Sequence, residues 1–409
     1  MKKNAIYGQS GGVTPVINSS AAGTIRAAMS SDKIEKVYVS LNGIDGILKQ
    51  NIVDMTVENP MEIEKISYAP GAIFGSCRKK LTEEDYDKIF KIFSLNNIGY
   101  FYYNGGNDSM ETAHLIAKKA EKIGYDLKVI GIPKTVDNDL MKTDHCPGFG
   151  SAAKFTSIAM LEATKDLKSM HTSSTQVFIL ESMGRHAGWL AASGVLAGIN
   201  GEEIPEIILM PEVPFDQDKF LQKVEYSLLD DGFCAIIASE ALTGANGKFI
   251  STSDFVDEFG NVQLGKVGIY LEKLIKNNLG KKVHVSLPDY LQRSSRHIAS
   301  FVDWQEASQV GTVAVIYSTE YGMTDKMVAI VRDNNDPYIS HFEPVELEGI
   351  AGETKIMPSE FIGEDNMSVN EKFIEYVRPL IKGEAPNLFL NGIPTYPKLK
   401  LKNISKKEL

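Results

Sequence analysis

Cysteine is scarce in this chain: Cys77, Cys146 and Cys234 are odd in number and far apart. They supply neither a disulfide framework nor a CxxC zinc knuckle. The seven histidines show no HxxxH or HxxEH spacing, which argues against a zinc site. No apolar run approaches the ~20 residues that cross a bilayer. Basic charge is not in surplus either, since 43 Lys and Arg stand against 53 Asp and Glu, for a net charge of -10. Nucleic acids and anionic membranes need a net basic face, so neither is expected as a partner. The sequence lacks G-x-S-x-G, and Cys77 beside Arg78 has no evident base, so covalent catalysis is not favoured.

What is present is an ordinary soluble composition, 43% apolar and 23% charged, over 409 residues, enough for two or three domains. The N-terminus enters a strand-like segment at once, so no leader peptide is expected. The closing Lys-Lys-Glu-Leu is expected to be a solvated tail, and the expected compartment is the cytoplasm. Short apolar runs at residues 5–10, 37–41, 100–103 and 129–132 alternate with helix-like stretches such as 15–29. A second series follows at 176–180, 207–210 and 234–239. Runs at 283–287 and 312–317 read as late strands, and 327–341 reads as a hairpin turning at 333–337. Buried runs without polar alternation, separated by helices, indicate parallel sheets covered on both faces. The expected fold is α/β, two doubly wound, Rossmann-like lobes with mainly parallel sheets and a cleft between them. The expected division is a first lobe at 1–150, joined by part of 280–330, a second at 151–280, and an extension at 330–409.

Five strand-ending turns carry groups that suit phosphate chemistry. In Tyr7-Gly8-Gln9-Ser10-Gly11-Gly12, glycines before a helix let the backbone approach an anion closely. A plain strand–helix turn would look the same, and neither the P-loop ending nor the dinucleotide spacing is there. Asn107, Asp108 and Ser109 after Gly105-Gly106 are natural helix caps, yet capping does not explain the glycine pair. Pro133-Lys134-Thr135-Val136-Asp137-Asn138-Asp139 offers a cation for equatorial oxygens and carboxylates to take a proton or orient a metal. If extended, that segment puts Asp137 and Asp139 on one side. Met183-Gly184-Arg185 and Tyr290-Leu291-Gln292-Arg293 add arginines at two more turns, where a lone Arg is usually just solvated. Gly148–Ala153 spells GxGxxA but follows a polar His-Cys-Pro stretch, so dinucleotide binding there lacks its context.

These segments, in this order, resemble the phosphofructokinase family from about Lys3 to at least Arg296. The resemblance implies Mg²⁺ as cofactor, a homodimer or homotetramer, and phosphoryl transfer to O1 of fructose 6-phosphate. It makes Asp137 the proton acceptor, with Thr135 and Val136 lining the sugar site. Met183, Gly184 and Arg185 become sugar-phosphate contacts, Glu240 a sugar hydroxyl contact, and Tyr290 with Arg293 the 6-phosphate end. Gly12 and Arg78 match donor-phosphate positions, and Asp139 is the second carboxylate of the catalytic turn. ATP users of the family look like Gly-Gly-Asp-Gly and Pro-Gly-Thr, whereas Asp108 and Lys134 stand at the two glycine positions here. That looks like the pyrophosphate branch. A carboxylate ~4 Å from the α-phosphate of ATP, at an effective dielectric near ~20, repels by about 4 kcal/mol, or about a thousandfold. Lys134 would balance charge in the transferring group.

Three positions depart from the family pattern. Asn107 stands where a magnesium-binding Asp is usual. Gln176 and His284 stand near positions where many relatives have arginines that cross to the sugar phosphate of the neighbouring subunit, with Lys281 and Lys282 close to His284. An ATP-dependent sugar-phosphate kinase and a catalytically silent regulatory homologue are therefore the alternatives at this point. An NAD-dependent oxidoreductase rests on Gly148–Ala153 alone.

Overall fold

The computed structural model describes residues 2–198, 201–202, 204–256, 262–350 and 352–409. Its first strands are β1 (Lys3–Gln9), β2 (Ile34–Ser40), β3 (Ile52–Asp54), β4 (Ile98–Gly105) and β5 (Lys128–Pro133). Next come β6 (Val177–Ser182), β7 (Ile207–Leu209), β8 (Cys234–Ser239), the short pair β9 (Thr252–Val256) and β10 (Val262–Leu264), and β11 (Val283–Ser286). A late hairpin, β12 (Lys326–Asn335) and β13 (Tyr338–Glu346), follows.

Two sheets form from these strands. The first runs β13-β12-β5-β4-β1-β2-β3 and is parallel except at its two edges, where β13 and β3 pair antiparallel. The second runs β11-β6-β8-β7 and is parallel throughout. Unbroken burial along β8 and nearly all of β1, β4 and β5 accounts for their continuous apolar runs, because helices cover both faces. The expected hairpin is present, but β12 also pairs in parallel with β5, so the hairpin extends the first sheet.

The run at 312–317 is not a strand. It lies inside the helix Phe301–Thr319, which is N-capped by Ser300 accepting from the Asp303 N–H. Its β-branched residues suggested extension, but the buried positions Glu306, Ala307, Val310, Gly311, Ala314, Val315 and Ser318 follow helical spacing. Helix packing overrides strand propensity here. A Cβ on Gly311 would stand 2.2 Å from the Ser20 carbonyl oxygen, and one on Gly23 2.1 Å from that of Ser308. This helix and Ile17–Ser30 therefore cross backbone to backbone, and residues with side chains would hold them apart.

A chain of buried ions ties the late residues to the segment after β5. The ring nitrogens of His145, which is 1% exposed, lie 2.7 Å from Asp144 Oδ2 and 2.7 Å from Glu306 Oε2. Glu306 Oε1 accepts from the hydroxyls of Tyr338 and Ser340 on β13. Arg332 on β12 donates from Nε and Nη2 to Asp144 Oδ2. Burial alone would depress the His145 pKa, but Glu306 and Asp144 overcome it and push it up to about 9. Against burial, His145 and Arg332 hold the Asp144 carboxyl down at about 2. A histidine raised in the folded state stabilises fully below its unfolded pKa, and that stabilisation fades as pH rises through the folded value. Stability to urea should therefore fall by up to about 3 kcal/mol between pH ~6.5 and ~9. His145→Gln should be less stable than wild type at the acid end and much flatter across the window. A wild-type profile without that fall would mean that His145 does not carry a charge.

Candidate active site between the two sheets

In the first sheet the chain leaves β1 toward β2 on one side, while β4 lies on the other, so a crevice opens between the C-terminal ends of β1 and β4. Gln9 pairs with Asn104, and Gly105 of β4 pairs with Pro133 of β5. The first three turns singled out in the sequence thus lie side by side along one edge. Gly11 adopts φ +77, and its N–H donates to the Cys77 carbonyl. A Cβ there would meet Lys134 Nζ at 3.2 Å. One on Gly12 would meet Arg293 Nη1 at 2.9 Å and Arg78 Nη2 at 3.9 Å. Three cations therefore converge on the bare backbone of one turn. Arg293 Nε is buried and, among the described residues, has no hydrogen-bond partner, as expected of a donor waiting for an anion.

Lys134 is 3% exposed, and its N–H donates to the Gly105 carbonyl. Burial draws its pKa down to about 8, while Asp139 and Asp137 resist and the Arg78 and Arg293 charges add to the fall. The next residues do not continue the strand. Asn138 takes φ +56, so Asp137 and Asp139 flank a left-handed bend, which corrects the extended reading. Proximity survives by another route: burial first, then Asp139 and Glu240, push the Asp137 pKa up to about 7, offset by Lys134 and Arg293. A carboxylate near neutrality is matched to general-base work. Thr135 Oγ1 accepts from the Asp137 N–H at 3.1 Å. Val136 is buried in the apolar cluster of the second lobe with Phe149, Ala187 and Trp189, so the turn is anchored in both lobes.

The second sheet presents its own strand ends to the same place. Ser182 of β6 pairs with Ser239 of β8, which sets Met183-Gly184-Arg185 beside Glu240. Gly184 adopts φ +137, and its carbonyl accepts from the Ser239 hydroxyl at 2.9 Å. Burial raises the Glu240 pKa, and Arg185 and Lys266 offset part of that. Tyr290 is 67% exposed, with the Arg293 guanidinium 4.3 Å from its ring centre. Arg293 thus points toward Gly12, while Tyr290 stays at the rim. Asp108 is also exposed, in the first turn of the helix Asn107–Ile123, and Arg78 is exposed as well.

Asn107 Oδ1 is buried and, among the described residues, unpartnered, and its Nδ2 donates to Asp139 Oδ2 at 3.3 Å. An orphaned amide oxygen beside a carboxylate fits a hard cation such as Mg²⁺. Among the described residues no group of three His, Cys, Asp or Glu could hold a metal. The other positions around a cation here would therefore fall to phosphate oxygens and water.

Several residues that build the site were not read from the sequence as functional. Gln292, 2% exposed, accepts the Met183 N–H at 2.9 Å, and Glu181 accepts the Gly268 N–H at 2.7 Å. Gln292 sits inside the Tyr290–Arg293 turn and Glu181 two residues before Met183, and their burial is what marks them. The GxGxxA segment opens the helix Phe149–Met170, but the N–H groups of Gly148 and Ser151 donate to Asp303 Oδ1 and Oδ2. The chain's own carboxylate takes the place a dinucleotide phosphate would need. Gln176 and His284 lie at the starts of β6 and β11, the opposite edge from Met183, where His284 Nε2 is 3.4 Å from Thr175 Oγ1.

Comparison with known proteins agrees with this geometry. A protein of Xanthomonas campestris pv. campestris (strain B100) named pyrophosphate–fructose 6-phosphate 1-phosphotransferase is 45% identical over 99% of this chain and 98% of its own length. The crystal structure of a pyrophosphate-dependent phosphofructokinase from Nitrosospira multiformis superposes with a TM-score of 0.93 at 42% identity, covering 100% of this chain and 99% of that one. One from Marinobacter aquaeolei gives 0.92 at 42%, covering 100% and 98%. The model of the family described as Phosphofructokinase matches residues 4–317, which takes in all five turns, and the chain belongs to that family.

Proposed function

We propose that this chain transfers a phosphoryl group from pyrophosphate to O1 of fructose 6-phosphate, reversibly, giving fructose 1,6-bisphosphate and phosphate. The observation that carries the reading is the buried Lys134 beside a carboxylate, Asp137, lifted to about 7, at a glycine turn ringed by arginines. The relatives' names support the same donor. No helix among the described residues is long and apolar enough to cross a membrane, and we place the enzyme in the cytoplasm as a homo-oligomer.

Asp137 takes the O1 proton as O1 attacks the near phosphorus of pyrophosphate. The bond from that phosphorus to the bridging oxygen breaks, and phosphate leaves. The bare backbone at Gly11 and Gly12 leaves room for the donor, Arg78 holds it, and Lys134 meets the charge that builds on the transferring group. Arg293 reaches the donor turn from the sugar side and links the two substrates electrostatically. Met183, Gly184 and Arg185 receive the sugar phosphate with Tyr290 at the rim, while Glu240 accepts from a sugar hydroxyl. Asn107 and Asp139 would hold Mg²⁺, which when bound neutralises phosphoryl oxygens.

Asp137→Asn should lower kcat by about 10²–10⁴ with little change in the KM for sugar. A variant that keeps most of its turnover would remove Asp137 as the base. For the metal, calorimetry should detect little Mg²⁺ binding without pyrophosphate, and Asn107→Asp should tighten it, since a charge replaces an amide. Tight Mg²⁺ binding to the wild-type protein alone would contradict this.

Donor choice tests the reading itself. Asp108 is exposed, so solvent screens its repulsion of ATP, and the expected penalty drops from about a thousandfold to about 10- to 100-fold. Asp108→Gly should let ATP bind by that factor, while Lys134→Gly should mainly lower kcat with pyrophosphate. The double change should move the ratio of ATP to pyrophosphate kcat/KM more than either single one, without additivity, because the positions share a site. A wild type that already prefers ATP would overturn the donor assignment.

A further inference from the structure

The family match ends at residue 317, yet the catalytic turn is held from beyond it. Asn138, fully buried between Asp137 and Asp139, uses both ends of its amide. Its Oδ1 accepts the Cys146 N–H at 3.0 Å, and its Nδ2 donates to the Tyr376 hydroxyl at 2.9 Å. The Tyr376 hydroxyl in turn donates to the Asp144 carbonyl at 2.8 Å. Arg332 packs its guanidinium over the Tyr376 ring at 4.5 Å and donates to the Tyr376 carbonyl at 2.8 Å. On the other side of the bend, the Lys355 N–H donates to the Asp139 carbonyl at 2.9 Å. Lys355 Nζ donates to the carbonyls of Thr143 and Asp144, at 3.0 and 2.8 Å. Its own carbonyl accepts from Trp189 Nε1 at 3.1 Å.

We propose that Tyr376 and Lys355, with Arg332 behind them, are positioning residues that fix the left-handed bend at Asn138 and so aim Asp137 at the acceptor oxygen. A bend at φ +56 leaves Asn138 free to relax unless its amide is held, and both partners are tied elsewhere, Tyr376 to the Asp144 carbonyl and Arg332, and Cys146 to the Phe149 N–H. Rotation about that one residue moves the two flanking carboxylates relative to Lys134. The late residues therefore complete a site whose chemistry is encoded more than two hundred residues earlier. The inference rests on the phosphotransfer reading of the same turn.

The test compares the full-length wild type with Tyr376→Phe, which keeps the ring and loses only the hydroxyl. Assays with Mg²⁺, pyrophosphate and fructose 6-phosphate are run well below the unfolding temperature. A loss of aim should cut kcat about 10- to 100-fold while both KM values stay within about twofold. Asn138→Ala breaks the same bond and the one to the Cys146 N–H, so once Tyr376 is Phe it should cost less than it does alone. Arg378→Ala, two residues beyond Tyr376 at an exposed pair with Glu371, should leave activity unchanged. An unchanged kcat in Tyr376→Phe, or additive losses in the double variant, would overturn the positioning role. Were wild type to use ATP in place of pyrophosphate, the donor reading would fail, and the same split in kcat, read with ATP, would still support the positioning role.

Discussion

A lysine at the end of a strand buried on both faces keeps its charge only if carboxylates nearby offset the lost hydration, and Lys134 is in that position. The same carboxylates cannot all ionise freely in so small a space. Burial and the mutual repulsion of Asp137, Asp139 and Glu240 lift Asp137 toward neutrality, while Lys134 and Arg293 restrain the rise. Each group sets the other's state. The base is basic enough to take a hydroxyl proton, and the cation sits where charge builds during transfer. The glycine turn at Gly11-Gly12 and the bend at Asn138 are backbone solutions to placing these groups within reach of one another.

The fold supplies that placement through strand ends. Parallel sheets gather their C-terminal edges on one side, and the two sheets here point those edges toward each other, as the approach of Arg293 to Gly12 and of Glu240 to Asp137 requires. Val136 anchors the catalytic turn in the second lobe's core while Lys134 remains tied to β4 in the first. Closure of one lobe on the other would therefore be felt directly at the turn.

Most of this framework was legible because parallel strands have a plain signature, an apolar run ending in glycine before a helix. The turns at Gly11 and Gly105 could be read that way, and pairing of β1, β4 and β5 brings them together with the turn at Lys134. The 312–317 run could not be read locally. Its β-branched residues favour a strand, and packing in three dimensions overrides them, with Gly23 and Gly311 letting this helix close on Ile17–Ser30. The bend at Asn138 was missed for the same reason, since it depends on Tyr376, a partner 238 residues away. Nor could the sequence show that Asp108 is exposed while Lys134 is buried, a difference that decides how strongly each acts.

The most direct test of direct transfer between phosphate oxygens runs the reaction backwards. Fructose 1,6-bisphosphate, Mg²⁺ and the purified protein are followed by phosphorus NMR with either inorganic phosphate or ADP as acceptor. Growth of a pyrophosphate resonance with phosphate, and no ATP with ADP, is the predicted result. Formation of ATP without pyrophosphate would contradict the account.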